Sequence, residues 1–489
     1  MEKSKRLPYA YARQHQVFLT KNDHGNLLVF SQHHLTPEVV CEVNRFCEGK
    51  LQLRAMAAEE FQAQLTRCYE SKAGEAEAAM QDLEENEELA NVLSHLPKLD
   101  DLLASQDEAP IIRLLNAILV QAIQLPASDV HFELFKQQFT IRLRCDGVLQ
   151  EVLSPNPALA PLIISRIKVM AKCDIAEKRL PQDGRMALSI AGHEIDVRVS
   201  TIPTQHGERV VLRLLDKKSA PLDLTKLGLT ASKLTTLRKL IEKPHGIILV
   251  TGPTGSGKST TLYASLAEIN SPTHNIMTVE DPVEYDIDGI GQTQVNSKIG
   301  LTFSRGLRAI LRQDPDVVMV GEIRDQETAE MAVQASLTGH LVLSTLHTNT
   351  AIGAVTRLRD MGVESFLIAS TLTGVIAQRL VRRLCDHCKR KELASDSVRR
   401  MLNLPAHVNA YIYEPAGCEH CRQGYSGRFA IYEIIEITPR LTDLIHSEAP
   451  EAELQQLAHQ QATPIRDHAI EHVLAGNTSV DELLRVTWE

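Results

Sequence analysis

The chain has 489 residues, of which 43% are hydrophobic and 23% charged, and its formal net charge is −10. A chain of this length is too long to fold around a single hydrophobic core, and it predicts about three or four domains. The negative balance argues against bulk attraction to nucleic acid or anionic lipid, and no apolar run approaches the roughly 20 residues of a membrane span. The charged N-terminus is followed by no apolar segment, so we expect a cytoplasmic protein, whose nine cysteines indicate metal binding or reduced thiols.

Residues 1–72 predict a small α+β domain. Apolar stretches at Gln16–Leu19 and Leu27–Phe30 suggest strands, while Thr36–Cys47 and Ala57–Tyr69 have helix-like composition. No catalytic constellation is visible here, and we interpret the segment as a docking domain. Residues 73–108 follow as an acidic linker, since Glu75–Glu88 carries seven acids and no basic residue.

Residues 109–221 predict a second α+β domain that is rich in arginine. Asp146-Gly147 is a hairpin turn signal between two alternating stretches. Helices are expected at Pro110–Leu125 and Leu162–Ala171, and strands at Phe139–Leu143, Val148–Val152, Met186–Ile190, Glu194–Val199 and Arg209–Leu215. The arginines are Arg142, Arg144, Arg166, Arg179, Arg185, Arg198, Arg209 and Arg213. They form either a solvated face or a surface for a nucleotide held by a neighbouring domain, because guanidinium suits phosphate.

Residues 222–489 are organised around a phosphate-binding loop. Gly246–Val250 is a short apolar run typical of a buried strand, and Gly252–Ser259 then fits the pattern G-x-x-x-x-G-K-S. Its glycines let backbone N–H groups turn around a phosphate, Lys258 can reach the β- and γ-phosphates, and Ser259 can bind Mg²⁺. The predicted nucleotide-binding residues are Gly252, Pro253, Thr254, Gly255, Ser256, Gly257, Lys258, Ser259 and Thr260.

Strands and helices alternate from residue 245 to about 380. Strands are expected at Gly246–Val250, Ile276–Val279, Val317–Val320 and Leu341–Thr345, and helices at Ser259–Asn270, Phe303–Arg312, Gln326–Leu337 and Ala351–Met361. This alternation predicts a mainly parallel α/β sheet with its ligand at the carboxyl ends of the strands. After residue 425 we expect a return to helices, including amphipathic stretches at Glu451–Gln460 and Ile465–Ala475.

Carboxylates follow two of these strands. The segment NIMTVEDPVEY ends in Glu280, Asp281 and Glu284, where a carboxylate can activate water or hold Mg²⁺. The segment DPDVVMVGEIRD places Glu322 just past an apolar strand, as a displaced second acidic nucleotide motif. The alternative for the first segment is a charged loop without a chemical role.

Two histidines flank the apolar strand LVLST, namely His340 and His347. Histidines beside such a strand are more often hydrogen-bonded structural residues. His347 lies in the loop after the strand, on the side where the nucleotide is expected, and is therefore interpreted as a γ-phosphate sensor, with His340 as a second candidate.

Four cysteines form two C-x-x-C pairs separated by 29 residues, Cys385 with Cys388 and Cys418 with Cys421. Two such pairs favour a tetrahedral structural Zn²⁺ site over redox motifs. The long spacer predicts a small insertion over residues 385–421, and His387 and His420 inside the pairs are interpreted as spectators.

Taken together, the phosphate loop, TVEDPVEYDIDGIGQTQV, RQDPDVVMVGEIRD and TGHLVLSTLHTN resemble the secretion ATPase superfamily. The four cysteines and RLPQDGR (Arg179–Arg185) narrow the resemblance, over about residues 107–489, to type II secretion ATPases of the general secretion pathway protein E family. It implies a RecA-like P-loop ATPase domain after an α+β PAS-like domain.

The resemblance also implies a cytoplasmic homohexamer, which hydrolyses ATP with Mg²⁺ to power pseudopilus assembly and protein export. Glu284 matches the proposed water-activating glutamate, and Glu322, His347 and Lys258 match the other catalytic positions. Arg198 and Arg213 match arginines that reach the phosphates from the preceding domain. The N-terminal domain would dock on the cytoplasmic part of an inner-membrane platform protein.

Two alternatives stay open. The type IV pilus extension ATPases share nearly every motif and, often, the cysteines. A nucleic-acid translocase or zinc-ribbon binding module is suggested by basic residues near the cysteines: Arg379, Arg382, Arg383, Lys389, Arg390 and Lys391. The net charge and the 4% aromatic content argue against nucleic-acid binding.

Overall fold

The structure is a computed structural model that describes residues 15–21, 27–31, 39–40, 43, 52–56, 61, 108–190, 193–216, 222–405 and 410–487. The chain divides into two compact units, Met1–Asp216 and Lys217–Glu489. Among the described residues, no helix is long and apolar enough to cross a membrane.

The first unit begins with a three-stranded sheet in the order β1-β2-β3. Its strands are β1 (Val17–Lys21), β2 (Leu27–Ser31) and β3 (Gln52–Ala55). The two predicted strands are therefore present, and they pair antiparallel. Most of the two predicted helical stretches, and the acidic linker up to residue 107, lie outside the described residues.

A six-stranded antiparallel sheet, in the order β6-β5-β4-β9-β8-β7, forms the rest of the first unit. One face packs against two helices in a single apolar core, and along β8 the buried Ile195, Val197 and Val199 alternate with more exposed residues. The elements are α1 (Glu108–Gln124), β4 (Ala127–Leu134), β5 (Phe139–Cys145), β6 (Val148–Leu153), α2 (Ala160–Met170), β7 (Gln182–Ile190), β8 (His193–Thr204) and β9 (Gly207–Asp216).

The predicted hairpin turn at Asp146-Gly147 is confirmed. Cys145 pairs with Val148, which leaves a loop of two residues. Both loop residues have positive φ, +50° for Asp146 and +84° for Gly147. Asp-Gly suits this position, since a two-residue hairpin turn of this kind requires φ above zero at both places.

The second unit is built on a seven-stranded sheet in the order β12-β11-β13-β14-β10-β15-β18. All neighbouring strands are parallel except β15 and β18, which are antiparallel. The strands are β10 (Gly246–Thr251), β11 (Ile276–Glu280), β12 (Ile290–Gln294), β13 (Val317–Val320), β14 (Leu341–Leu346), β15 (Leu372–Leu384) and β18 (Tyr425–Glu436).

Helices cover both faces of this sheet and extend to the C-terminal end, with a separate two-stranded ribbon between the cysteine pairs. The helices are α3 (Ala231–Ile241), α4 (Lys258–Ile269), α5 (Phe303–Ile310), α6 (Gln326–Leu337), α7 (Gly353–Asp360), α8 (Ser365–Thr371), α9 (Asp396–Met401), α10 (Pro439–His446), α11 (Glu451–His459), α12 (Ile465–Leu474) and α13 (Val480–Thr487). The ribbon consists of β16 (Arg390–Leu393) and β17 (Tyr411–Glu414).

The mainly parallel sheet and its four predicted strands are confirmed. The expectation of helices directly after residue 425 is wrong, because Tyr425–Glu436 forms β18 and pairs with nearly the whole length of β15. Its sequence explains the difference, since YSGRFAIYEIIE is rich in aromatic and β-branched residues, which favour a pleated, buried strand. The helices begin at Pro439, after this strand has ended.

Candidate nucleotide site and metal centre

The carboxyl ends of four parallel strands bring the predicted nucleotide residues to one edge of the sheet. Strand register aligns Val250 of β10 with Thr345 of β14, and Val320 of β13 with Ser344 of β14. Val279 of β11 lies opposite Val320. The phosphate loop, the acidic loop after β11, Glu322 and His347 therefore all follow strands that end at the same edge.

The phosphate loop has a backbone that only glycine tolerates at its first position. Gly252 has a φ of +146°, and a Cβ there would lie 2.5 Å from the carbonyl oxygen of Gln378 and 2.7 Å from Oγ of Ser256. Gly257 has a φ of +86° and lies immediately before α4. The N–H groups of the first turn of α4, together with the exposed Ser259, therefore face the loop where an anion is best stabilised.

Lys258 lies inside this loop and is only 8% exposed. Its Nζ donates to the carbonyl oxygens of Gly252 at 2.7 Å and Pro253 at 3.1 Å. Burial lowers the pKa of Lys258 to about 8, against an opposing contribution from the Glu322 carboxylate. Phosphate oxygens would replace the two carbonyl partners and bring negative charge to an amine that has little water around it.

Glu322 and His347 lie next to each other beside Lys258. One carboxylate oxygen of Glu322 pairs with the guanidinium of Arg324, and the other lies 3.6 Å from Nε2 of His347. Burial, and then the positive charge of Lys258, lower the pKa of His347 despite the opposing Glu322 charge. The imidazole is therefore neutral near pH 7 and can hydrogen bond to a phosphate or a water without adding charge.

The two glutamates of the acidic loop have different environments. Glu280 is 3% exposed and accepts hydrogen bonds from Thr278 at 2.5 Å and from Gln292 at 3.2 Å. Glu284 is half-buried in the loop, and its backbone N–H donates to the hydroxyl of Tyr263 at 3.0 Å. Glu280 thus serves the interior of the loop, whereas Glu284 keeps partial access to solvent.

The structure separates the two histidines that flank β14. His347 follows the carboxyl end of the strand, whereas His340 precedes its amino end, at the far edge of the sheet from the phosphate loop. The Nδ1 of His340 lies 2.8 Å from the carbonyl oxygen of Ala335 and 3.0 Å from the hydroxyl of Thr338. These contacts close the end of α6, so His340 is not brought to the nucleotide site.

Sequence reasoning missed Arg379 as a neighbour of the phosphate loop. It lies in β15, next to β10, and a Cβ on Gly252 would be 3.3 Å from its Nη1. Its Nη2 donates to the carbonyl oxygen of Asn349, in the loop after β14, at 2.7 Å. The apolar run LTGVIA before Gln378 could have revealed this position, because it indicates a strand. Arg379 would then belong to a strand beside the phosphate loop and not to a basic patch.

In the first unit, Arg198 and Arg213 lie side by side. They are direct partners across β8 and β9, Arg185 is opposite Arg198 on β7, and Asp129 is opposite Arg213 on β4. Asp129 accepts a hydrogen bond from Nε of Arg213 at 3.0 Å. Since directly opposed residues share a sheet face and like charges there repel, this arginine row is suited to an anionic ligand.

The four cysteines converge in the second unit, with all their sulfur atoms within 4.8 Å of one another. The Sγ separations are 3.8 Å for Cys385–Cys418, 3.6 Å for Cys388–Cys421 and 3.6 Å for Cys418–Cys421. Four thiolates around Zn²⁺ with bonds of about 2.3 Å would be about 3.8 Å apart, so the cluster fits a tetrahedral zinc site. The rings of His387 and His420 pack on each other, 4.8 Å apart, outside the four ligands.

Strand β15 connects this metal centre with the nucleotide site. Its first half pairs with β10 up to Ala377, which lies opposite Thr251 at the start of the phosphate loop. The strand ends at Leu384, directly before the first cysteine. Near that end, the backbone N–H and Nε of Arg382 both donate to the buried carboxylate of Glu482 at 2.9 Å.

We expect one Zn²⁺ per chain, and substitution of Cys385 or Cys418 by serine should abolish stoichiometric binding. The substitution should disturb local folding over residues 380–425. Its effect on nucleotide affinity should be smaller, because the phosphate loop follows a different strand of the sheet. Metal analysis of a reduced preparation, with Cys173→Ser as the matched control, measures this directly. Wild-type protein that lacks zinc under these conditions would contradict the assignment.

Comparisons with known proteins show which family the chain resembles. The profile of the family described as Type II/IV secretion system protein matches residues 104–485, and a profile for an N-terminal domain of GSPII protein E matches residues 6–69. The solved pilus retraction motor PilT with bound ADP is 26% identical and has a TM-score of 0.52, covering 77% of this chain and 97% of that chain.

Two curated relatives are similar over almost the whole length. The type II secretion system ATPase E of Vibrio cholerae is 52% identical, and the match covers 99% of this chain and 97% of the relative. The type II secretion system protein E of Aeromonas hydrophila is also 52% identical, with 99% and 96% covered. The chain therefore belongs to the type II secretion system protein E family of secretion ATPases.

Proposed function

We propose that this chain hydrolyses ATP in the phosphate loop of its second unit and so powers pseudopilus assembly and protein export by type II secretion. The observation that carries the proposal is the edge of the parallel sheet where Lys258, Glu322 and His347 meet. The Glu322 charge favours a higher pKa for Lys258 and for His347, whereas the Lys258 charge favours a lower pKa for His347. Such a constellation suits stabilisation of charge on a transferring phosphoryl group.

Each residue has a distinct task in this proposal. The backbone of residues 252–260 and Lys258 bind the phosphates, and the exposed Ser259 offers its hydroxyl to Mg²⁺, which neutralises phosphate charge when bound. Glu322 would hydrogen bond to the waters of a bound Mg²⁺ or to the attacking water. Glu284 accepts a proton from the attacking water, and the neutral His347 senses the γ-phosphate. Arg198 and Arg213 of the arginine row supply positive charge from the first unit.

Glu284→Gln and Glu322→Gln should each lower kcat by about 10²-fold or more, with smaller effects on nucleotide affinity. Both changes keep size and remove a charge needed in the transition state. Steady-state ATPase assays with nucleotide titrations separate the two quantities, and Glu330→Gln on the exposed surface of α6 is the control. An effect confined to KM would mean that the carboxylates contribute to substrate binding and do not stabilise the transition state.

Family membership supports a proposal for the wider assembly. We infer a homohexamer, a RecA-like arrangement for the second unit, and a PAS-like one for residues 109–221. The N-terminal domain, residues 1–72, would dock on the cytoplasmic part of an inner-membrane platform protein and hold the motor at the membrane. Nucleic acid has no place in this proposal.

The alternative function is that of a type IV pilus extension ATPase. The observation that favours it is the similarity to PilT, described as a pilus retraction motor. ATPase activity measured with and without the cytoplasmic domain of the type II platform protein tests both. Stimulation by that domain supports secretion, whereas stimulation only by a pilus platform protein supports the alternative.

A further inference from the structure

One buried hydroxyl connects the phosphate-loop helix with the acidic loop. Tyr263 lies on α4, in the second helical turn after Lys258, and is 1% exposed. Its hydroxyl donates to a carboxylate oxygen of Glu280 and accepts the backbone N–H of Glu284, with an N···O distance of 3.0 Å. The hydroxyl thus contacts both ends of the segment that carries the proposed water-activating glutamate.

The acidic loop is fixed from its other side by Gln292 of β12. Its amide donates to Glu280 at 3.2 Å and to the carbonyl oxygen of Tyr285 at 2.9 Å. Its amide oxygen accepts the backbone N–H of Ile287 at 2.9 Å. Gln292 lies on β12, away from the phosphate loop. Within this cluster, the link between the acidic loop and α4 is therefore made by Tyr263.

The tyrosine is held in one orientation. Its ring meets that of Tyr285 edge to face, with centroids 5.4 Å apart and planes at 83°. Burial, together with the nearby Glu280 charge, raises the pKa of Tyr263 well above its ordinary value. The hydroxyl therefore stays protonated and continues to donate to Glu280 throughout the physiological pH range.

We propose that Tyr263 is a positioning residue, which fixes the backbone of Glu284 relative to the phosphates bound at Lys258. This inference rests on the proposed ATPase function. Tyr263 does not contact the reacting atoms in this scheme. It acts because the helix that carries the phosphate-binding lysine also carries the hydroxyl that holds the glutamate's N–H, so both catalytic groups share one rigid support.

Tyr263→Phe in the full chain tests the proposal, since it keeps the buried ring and removes only the hydroxyl. We expect kcat to fall by about 10- to 100-fold, the effect of a small misplacement of a catalytic group, with nucleotide affinity little changed. The matched control is Tyr432→Phe. Tyr432 is also fully buried, and its hydroxyl lies 3.3 Å from that of Thr261 on the same helix, away from the acidic loop.

A double-mutant cycle distinguishes positioning from general stabilisation. If Tyr263 acts through Glu284, adding Tyr263→Phe to Glu284→Gln should cost no further kcat, because the group it positions has already lost its function. Additive losses, or an unchanged kcat in the single variant, would overturn the inference. If Tyr263→Phe fails to fold, Glu280→Gln removes the hydroxyl's acceptor charge and should give the same non-additive loss, and additivity there overturns it equally.

Wild-type protein and Lys258→Ala are assayed in the same series. Lys258-dependent hydrolysis with an unaffected Tyr263→Phe variant would remove only the positioning role and leave the ATPase function intact. Absence of Lys258-dependent hydrolysis in the wild type would instead remove the proposed function, and with it the role of Tyr263.

Discussion

Replacement of Lys258 by alanine should reduce ATP hydrolysis to background while the protein remains folded. The amine lies inside the phosphate loop and, among the residues that the structure describes, its acceptors are the loop's own carbonyl groups. Burial already lowers its pKa, so the folded state without nucleotide gains little from the charge. What is lost is the positive charge that meets the phosphates, at a side chain that is largely shielded from solvent.

Phosphate release by the purified variant, together with circular dichroism and thermal melting, measures both halves of this expectation. Lys298→Ala is the matched control, since Lys298 is an exposed lysine of the same unit. A Lys258→Ala protein that keeps most of its turnover would show that phosphates are bound elsewhere. A much lower melting temperature, or the loss of a cooperative unfolding transition, would show a structural role for the lysine instead.

Removal of the arginine row should slow hydrolysis by about 10³-fold or more, the magnitude associated with an arginine at the transferring phosphate. A fragment of residues 222–489 retains the phosphate loop and the acidic motifs. It should therefore bind ATP yet turn it over far more slowly than a fragment of residues 107–489. Each unit has its own apolar core, which makes the comparison of folded fragments practicable.

Single substitutions in the full chain refine this comparison. Arg198→Ala and Arg213→Ala should each reproduce much of the loss, whereas Arg113→Ala, an exposed arginine on α1 of the same unit, should not. The rates must be compared at matched protein concentration and oligomeric state. Equal turnover of the two fragments under those conditions would show that catalysis is independent of the arginine row.

The sequence was sufficient for the parts of the fold that depend on local patterns. The phosphate loop has fixed residue types because its backbone requires them, and each strand leading to the nucleotide edge is a short, mainly apolar run. β15 and β18 were harder to predict. Their apolar residues are interrupted by Gln378, Arg379 and Glu433, whose polar groups are satisfied by α4, by the loop after β14 and by the start of α12, contacts that form only in the folded unit.

The functional site shows the same difference between local motifs, which can be read from the sequence, and contacts that depend on the fold. Motifs indicated Lys258, Glu322 and His347, and the parallel register brings them to one edge. The role of Tyr263 was not visible, because it depends on a hydroxyl of α4 meeting a loop 17 to 21 residues later. Similarly, the arginine row depends on register across three strands, and spacing along the chain does not reveal which arginines become neighbours.

Strand β15 has a mechanical consequence. Arg379 lies at the phosphate loop and Cys385 at the metal centre, and six extended residues span about 20 Å. Hydrogen bonds to β18 stiffen that span, and the hydrogen bond from Arg382 to the buried carboxylate of Glu482 holds its outer end. The strand is thus a stiff arm that starts at the phosphate loop, so a tilt of a few degrees there would move the four-cysteine cluster by about 1 Å.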